Sequence, residues 1–142
     1  MKFQAEIEIA RALDQVWDAF VDRSLMARWQ STLRAVEPVS GHPGEIGAVT
    51  HLTYREGGRD VRMVETVIER VPPTALVCTL SSAMMTSTLG NRFSSTADGH
   101  TRWVVDCEID FRGPWKLLAL FGRRMIVRKT IDDMERFKRL LG

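Results

Sequence analysis

The chain has 142 residues, of which 44% are hydrophobic and 27% are charged, a balance that supports a packed core and argues against disorder. No apolar run approaches the roughly 20 residues needed to span a bilayer, and Met1 to Glu6 lack the apolar segment of a secretory signal. The net charge of +2 is too small to predict a nucleic-acid partner. We therefore expect a single domain over residues 1–142, located in the cytoplasm.

The first third of the chain predicts one strand and two short helices. Polar and apolar residues alternate from Lys2 to Ile9, which places Phe3, Ala5, Ile7 and Ile9 on one inner face of a strand. A helix is predicted from about Leu13 to Val21. A second helix is predicted from Ser24 to Trp29, with Ser24 as its N-cap.

The middle of the chain predicts six more strands. Glycine and proline turns such as Gly57-Gly58, Pro72-Pro73 and Asp98-Gly99 separate most of them, as is typical of antiparallel neighbours. The predicted strands are Leu33 to Val39, Ala48 to Arg55, Val61 to Arg70, Ala75 to Leu80, Met84 to Phe93 and Thr101 to Phe111.

The C-terminal region predicts one amphipathic helix that starts at Gly113-Pro114, ends near Leu141 and is about 40 Å long. From Val127 onward, apolar residues recur every three or four positions, which indicates one buried face. The earlier half is apolar on almost all sides, so we expect it to line a cavity. The element order predicts an α+β fold in which a seven-stranded antiparallel sheet curves around the last helix.

Short motifs along nearly the whole chain support this architecture. They are the opening strand, Val16-Trp17-Asp18-Ala19-Phe20, Ala27-Arg28-Trp29, Val64-Glu65-Thr66-Val67 with Val71-Pro72-Pro73, Asp98 to Arg102, and Gly113-Pro114. Together they resemble the START-related, or SRPBCC, superfamily, which includes birch-pollen-allergen-like and polyketide cyclase/dehydrase-like proteins. This resemblance implies a helix-grip fold with an apolar cavity for lipids, sterols, hormones, polyketides or quinones.

The sequence contains enough apolar residues to build such a cavity. Alternation in the last strand places Trp103, Val105, Cys107, Ile109 and Phe111 on the face toward the helix. The opposite wall would come from Leu117, Leu118, Phe121, Met125 and Ile126, and the side walls from Met63, Met84, Met85, Leu89 and Phe93. Any packed core has the same pattern, so the cavity is expected mainly from the resemblance.

Five polar residues are candidates for orienting a ligand inside the cavity. They are Glu65, His51, Tyr54, Arg124 and Asn91. Strand parity directs Glu65 and Asn91 toward the apolar layer, whereas His51 and Tyr54 lie on opposite faces of one strand and cannot both point inward. Arg124 would pair with an acidic ligand or with Glu65. Each also has a plain alternative at the rim or in solvent.

Established catalytic motifs are missing from the sequence. His42, His51 and His100 form no metal-binding motif, and no nucleophile elbow is present. Cys78 and Cys107 lie in separate strands and are expected to be reduced, buried thiols. We expect no metal or cofactor and assign no catalytic residue.

Three functions stay open from the sequence. The first is binding or carriage of a small hydrophobic molecule, such as a lipid, an aromatic compound or a polyketide-like compound. The second is an enzyme of the polyketide cyclase, aromatase or dehydratase type, in which Glu65, His51, Tyr54 or Arg124 assists proton transfer. The third is an interaction module whose basic C-terminal helix docks on a protein or a membrane.

Overall fold

A computed structural model describes residues 1–142 as one antiparallel sheet with a helix across its inner face. The strand order in the sheet is β1-β7-β6-β5-β4-β3-β2. The strands are β1 (Lys2–Ile9), β2 (Leu33–Ser40), β3 (Val49–Glu56), β4 (Arg59–Val71), β5 (Ala75–Ser81), β6 (Met85–Ser95) and β7 (Thr101–Phe111). All seven predicted strands and the predicted helix-grip architecture are confirmed.

Two short helices follow β1 and close one end of the sheet. Helix α1 (Leu13–Val21) has the predicted bounds, and a 3-10 turn (Arg23–Leu25) leads into α2 (Met26–Trp29). The N-cap of the 3-10 turn differs from the prediction, because the carboxylate of Asp22 accepts a hydrogen bond from the backbone N–H of Ser24. Asp22 is therefore the N-cap, and Ser24 lies inside the turn.

The C-terminal helix is not the continuous helix that the sequence predicts. A 3-10 turn (Gly113–Lys116) leads into α3 (Leu117–Phe121), and Gly122 separates α3 from α4 (Arg123–Leu141). The 19 residues of α4 span about 28 Å. The apolar residues before Gly122 therefore belong to a helical segment separate from α4.

The main core is an aromatic cluster where α1, α2 and α4 meet the sheet. Phe137 of α4 is 0% exposed, and its ring centroid lies 5.2 Å from that of Trp103, 5.3 Å from that of Trp29 and 6.0 Å from that of Phe20. Edge-to-face contacts of this kind add to the free energy of apolar burial. They fix the second half of α4 on the sheet.

None of the helices combines the length and the apolar composition that crossing a membrane requires.

Candidate functional site

The inner face of the sheet is sealed at one end and accessible at the other. At the end where β7 begins, Phe93, Trp103 and Val105 are at most 3% exposed, and Phe93 and Trp103 belong to the aromatic cluster. At the end where β7 finishes, several inner-face residues are only half-buried, although Cys107 and Ile109 between them are buried. The half-buried residues are Leu80, Met85, Leu89, Phe111 and, on α4, Ile126. This contrast arises because α3 does not cover the sheet. The accessible end is the candidate site.

Strand register places polar groups in a row across the floor of this site. Thr50 is paired with Glu65, Glu65 with Leu80, and Leu80 with Ser87. Because residues directly opposite in an antiparallel sheet point to the same face, all four side chains lie on the inner face. Thr50, Glu65 and Ser87 are at most 9% exposed. The floor is thus an apolar surface crossed by a buried polar row.

An ion pair joins this row to the helical layer. Nη2 of Arg23, in the turn before α2, lies 2.9 Å from Oε1 of Glu65, and the two side chains are 25% and 11% exposed. Burial of a carboxylate requires such a partner. The pair carries no net charge, so it presents a donor and an acceptor to a neutral ligand.

Tyr54 adds a second polar group beside the ion pair. Its hydroxyl donates a hydrogen bond of 2.9 Å to Oε1 of Gln30, and the ammonium of Lys129 lies 5.6 Å from the centre of its ring. Burial raises the pKa of Tyr54, and the negative charge of Glu65 raises it further. The phenol therefore stays neutral and acts as a hydrogen-bonding group, not as a base.

Asn91 lies deeper, between the polar row and the aromatic cluster. Its Oδ1 accepts a hydrogen bond of 3.1 Å from Nε1 of Trp103, and its side chain is 5% exposed. Cys78 and Cys107 flank Leu89 on the same cross-strand row. Burial raises the pKa of Cys78 to about 12 and also raises the pKa of Cys107, so both thiols are protonated.

Nine of the fourteen residues expected at the site lie on the inner face, but three of them, Phe93, Trp103 and Val105, are at the sealed end. The nine are Tyr54, Met63, Glu65, Met85, Leu89, Asn91, Phe93, Trp103 and Val105. Their side chains are buried or half-buried. Strand periodicity predicts these positions well because it determines which face a side chain joins.

The other five residues lie elsewhere. His51 is paired with Glu37 and Val64 on the outer face, so of His51 and Tyr54 it is Tyr54 that points inward. Phe121 is 83% exposed, Met125 is 67% exposed, and Arg124 is also exposed.

The expectation that Phe121, Arg124 and Met125 line the cavity is wrong, because the break at Gly122 leaves their side chains facing solvent. Leu118 is half-buried in α3. Ile126, which was expected in the same wall of the cavity, and Val127, the first residue of the expected buried face, pack against Phe3, Cys107 and Ile109.

The sequence interpretation missed Arg23 and named Arg124 as one candidate partner of Glu65, with an acidic ligand or solvent as the alternatives for Arg124. Arg23 and Glu65 are 42 positions apart. Nothing in local periodicity connects them, because the contact depends on how the turn after α1 folds over β4. Gln30 and Lys129 were missed for the same reason.

Two surface features lie outside the candidate site. An open depression of about 510 Å³ occupies the outer face of the sheet, but only three of its ten lining residues are hydrophobic. Glu8, Asp98 and His100 bring possible metal-ligand atoms within 4.8 Å of one another at the surface. Exposed groups of this kind commonly occur without a metal, and neither feature offers an apolar interior.

Comparisons with known proteins agree with this geometry. The family model for "Polyketide cyclase / dehydrase and lipid transport" matches residues 1–142. No curated protein sequence matches the chain.

Several solved structures share its fold. The protein TTHA0849 from Thermus thermophilus has a TM-score of 0.82 at 13% identity, covering 98% of this chain and 95% of its own. A START superfamily protein from Mycobacterium smegmatis has a TM-score of 0.78 at 11% identity, covering 99% of both chains. Ara h 8.0201 has a TM-score of 0.77 at 16% identity, covering 99% and 96% respectively. The resemblance to the START-related superfamily is thereby confirmed.

Proposed function

Since the chain belongs to the polyketide cyclase/dehydrase and lipid transport family, we propose that residues 1–142 act as one domain that binds or carries a small hydrophobic molecule. The observation that carries this proposal is the half-open inner face, where Glu65 of the Arg23–Glu65 pair lies directly opposite the half-buried Leu80. Apolar walls supply affinity, and a few buried polar groups fix orientation. We further propose that the protein works in the cytoplasm, which cell fractionation would test.

The polar groups indicate the chemistry of the ligand. Arg23 and Glu65 neutralise each other, Tyr54 is kept neutral, and Asn91 is an uncharged amide. A charged ligand would leave one buried charge without a partner, at a cost of several kcal/mol. The site therefore favours a neutral molecule with an aromatic or aliphatic body and a carbonyl or hydroxyl group.

Blocking the accessible end tests whether the inner face is the site. Leu89→Trp fills the half-open face, whereas Thr88→Trp places the same ring on the outer face one residue earlier. We expect the first variant to lose binding of the neutral fluorophore 1-aminoanthracene and the second to retain it. Circular dichroism would verify that both variants fold. Equal binding by both, or no binding by the wild-type protein, would contradict the proposal.

The role of the ion pair is tested by two matched substitutions in β4. Glu65→Gln changes the inner glutamate, and Glu69→Gln changes an outer glutamate that is also paired with an arginine, Arg92. A hydrogen bond to a charged group contributes about 1.5–3 kcal/mol, so Glu65→Gln should weaken fluorophore binding roughly 10- to 100-fold. Glu69→Gln should not change it. Native mass spectrometry of the purified protein would identify any ligand that copurifies.

A reaction of the polyketide cyclase type is the second candidate, because Tyr54 and Glu65 are close enough for the carboxylate to raise the pKa of the phenol. In this case the walls would fold a reactive chain, and the Tyr54 hydroxyl would donate a hydrogen bond to a developing oxyanion. Tyr54→Phe should then lower turnover of a polyketide substrate without weakening substrate binding to the same extent. A Tyr54→Phe variant with unchanged turnover would exclude this role.

A further inference from the structure

The helical segment between β7 and α4, with the first turn of α4, exposes five large apolar side chains that together we call the α3 patch. It consists of Trp115, Leu117, Leu120, Phe121 and Met125. Leu120 is 74% exposed and Phe121 is 83% exposed, although Leu and Phe are among the residues most often found in cores. Five large apolar side chains within eleven positions form a cluster, and clustered exposure of this kind marks an interaction site.

The α3 patch has no partner within the chain. The opposite side of the first turns of α4 is already occupied, because Ile126 and Val127 pack on Phe3, Cys107 and Ile109. Rotation of the segment toward the sheet would remove these contacts. The patch therefore needs a partner outside the chain.

Basic residues surround the α3 patch, and no acidic residue interrupts them. The stretch from Arg112 to Ile131 contains six Lys or Arg residues and no Asp or Glu. Some of these cations have partners inside the chain: Arg112 donates to Thr86, Arg123 to the carbonyl of Lys2, and Lys129 is paired with Asp133.

Three cations remain exposed around the patch without an ion-pair partner, namely Lys116, Arg124 and Arg128. Arg124 and Arg128 are one turn apart on α4 and adjoin Met125. The surface thus combines an apolar centre with a cationic rim.

We propose that the α3 patch docks on the surface of an anionic lipid bilayer. Trp, Phe and Leu side chains enter the boundary between headgroups and acyl chains, while Lys and Arg bind anionic headgroups. Charge complementarity favours this occupant over a second copy of the chain, because self-association through the patch would bring two sets of unpaired cations together. The proposal does not depend on the ligand of the inner face.

Sedimentation with vesicles tests the proposal. We expect the full chain to bind vesicles of phosphatidylcholine and phosphatidylglycerol in equal amounts, and to bind pure phosphatidylcholine much more weakly. Each cation at an anionic surface contributes about fivefold in affinity, so Arg124→Gln with Arg128→Gln should weaken binding about 25-fold. Leu120→Ser with Phe121→Ser should weaken it at least about tenfold, since the apolar contact is lost.

A matched control is available at the other end of the sheet. Ile46 is 67% exposed, as Met125 is, but it follows the acidic residue Glu45 in the loop before β3. Ile46→Ser should leave vesicle binding unchanged. All the substituted side chains are exposed, so melting temperatures should stay close to that of the wild-type protein, which circular dichroism checks.

Three results would overturn the proposal. The first is equal binding to both kinds of vesicle, and the second is no binding to either. The third is a concentration-dependent dimer in analytical ultracentrifugation that Leu120→Ser with Phe121→Ser dissociates, because the patch would then be covered by a second copy. Binding to anionic vesicles that falls as salt rises and is lost in both double variants would establish it.

Discussion

Removing Arg23 should destabilise the protein more than removing any exposed arginine, because it leaves the carboxylate of Glu65 buried without a counter-ion. Met is the appropriate replacement, since it keeps the length and apolar stem of Arg and removes the charge. Breaking a fully buried pair costs about 3–5 kcal/mol. Arg23 is 25% exposed and Glu65 11% exposed, so water screens part of this cost, and we expect Arg23→Met to lower the free energy of unfolding by about 2–3 kcal/mol.

The expected change is readily measured. For a domain of this size, about 2–3 kcal/mol corresponds to a fall of about 5–10 °C in melting temperature, followed by circular dichroism. The control is Arg92→Met, which breaks the exposed pair with Glu69, whose side chains are 53% and 45% exposed. An exposed pair contributes less than about 1 kcal/mol, so this control should melt close to the wild type.

A double variant separates the burial penalty from the attraction itself. Arg23→Met with Glu65→Met removes both charges, and we expect it to recover most of the lost stability, because an apolar pair is often as stable as a buried ion pair. It should still bind 1-aminoanthracene less tightly, since the polar anchor is gone. The reasoning is refuted if Arg23→Met is as mild as Arg92→Met, or if the double variant is no more stable than Arg23→Met alone.

Three further predictions concern the core, the helix break and pH. Phe137→Ala should cost about 3–5 kcal/mol in urea denaturation because it removes a fully buried ring, whereas Leu120→Ala, at an exposed position, should cost less than about 0.5 kcal/mol. Gly122→Ala should lower the melting temperature despite the higher helix propensity of Ala, because the new Cβ would lie 2.9 Å from the carbonyl oxygen of Leu118. A higher melting temperature would contradict this explanation of the helix break. The free energy of unfolding should fall between about pH 9 and pH 12, because folding raises the pKa of Cys78 from 9.0 to about 12 and the unfolded chain releases this proton first. In the Cys78→Ala variant, a plot of the free energy of unfolding against pH should be flatter over this range.

The sequence by itself determined the strands and which face each side chain joins. Two-residue periodicity follows from backbone geometry and needs no knowledge of distant contacts, so Trp103, Val105 and Cys107 were assigned correctly to the inner face. The same parity placed Glu65 and Asn91 inside. It also showed that only one of His51 and Tyr54 can point inward, without telling which.

Only the tertiary structure decided which of these two residues faces the site and which cation neutralises Glu65. The register of β3 on β4 and the fold of the turn after α1 set these outcomes, and both depend on contacts between separate parts of the chain. The helix break at Gly122 is also a feature that only the tertiary structure decided. A helical pattern of apolar residues does not say whether the helix continues on one axis, so Phe121 and Met125 were expected inside. They lie outside, whereas Ile126 and Val127, which were also expected inside, pack against the sheet.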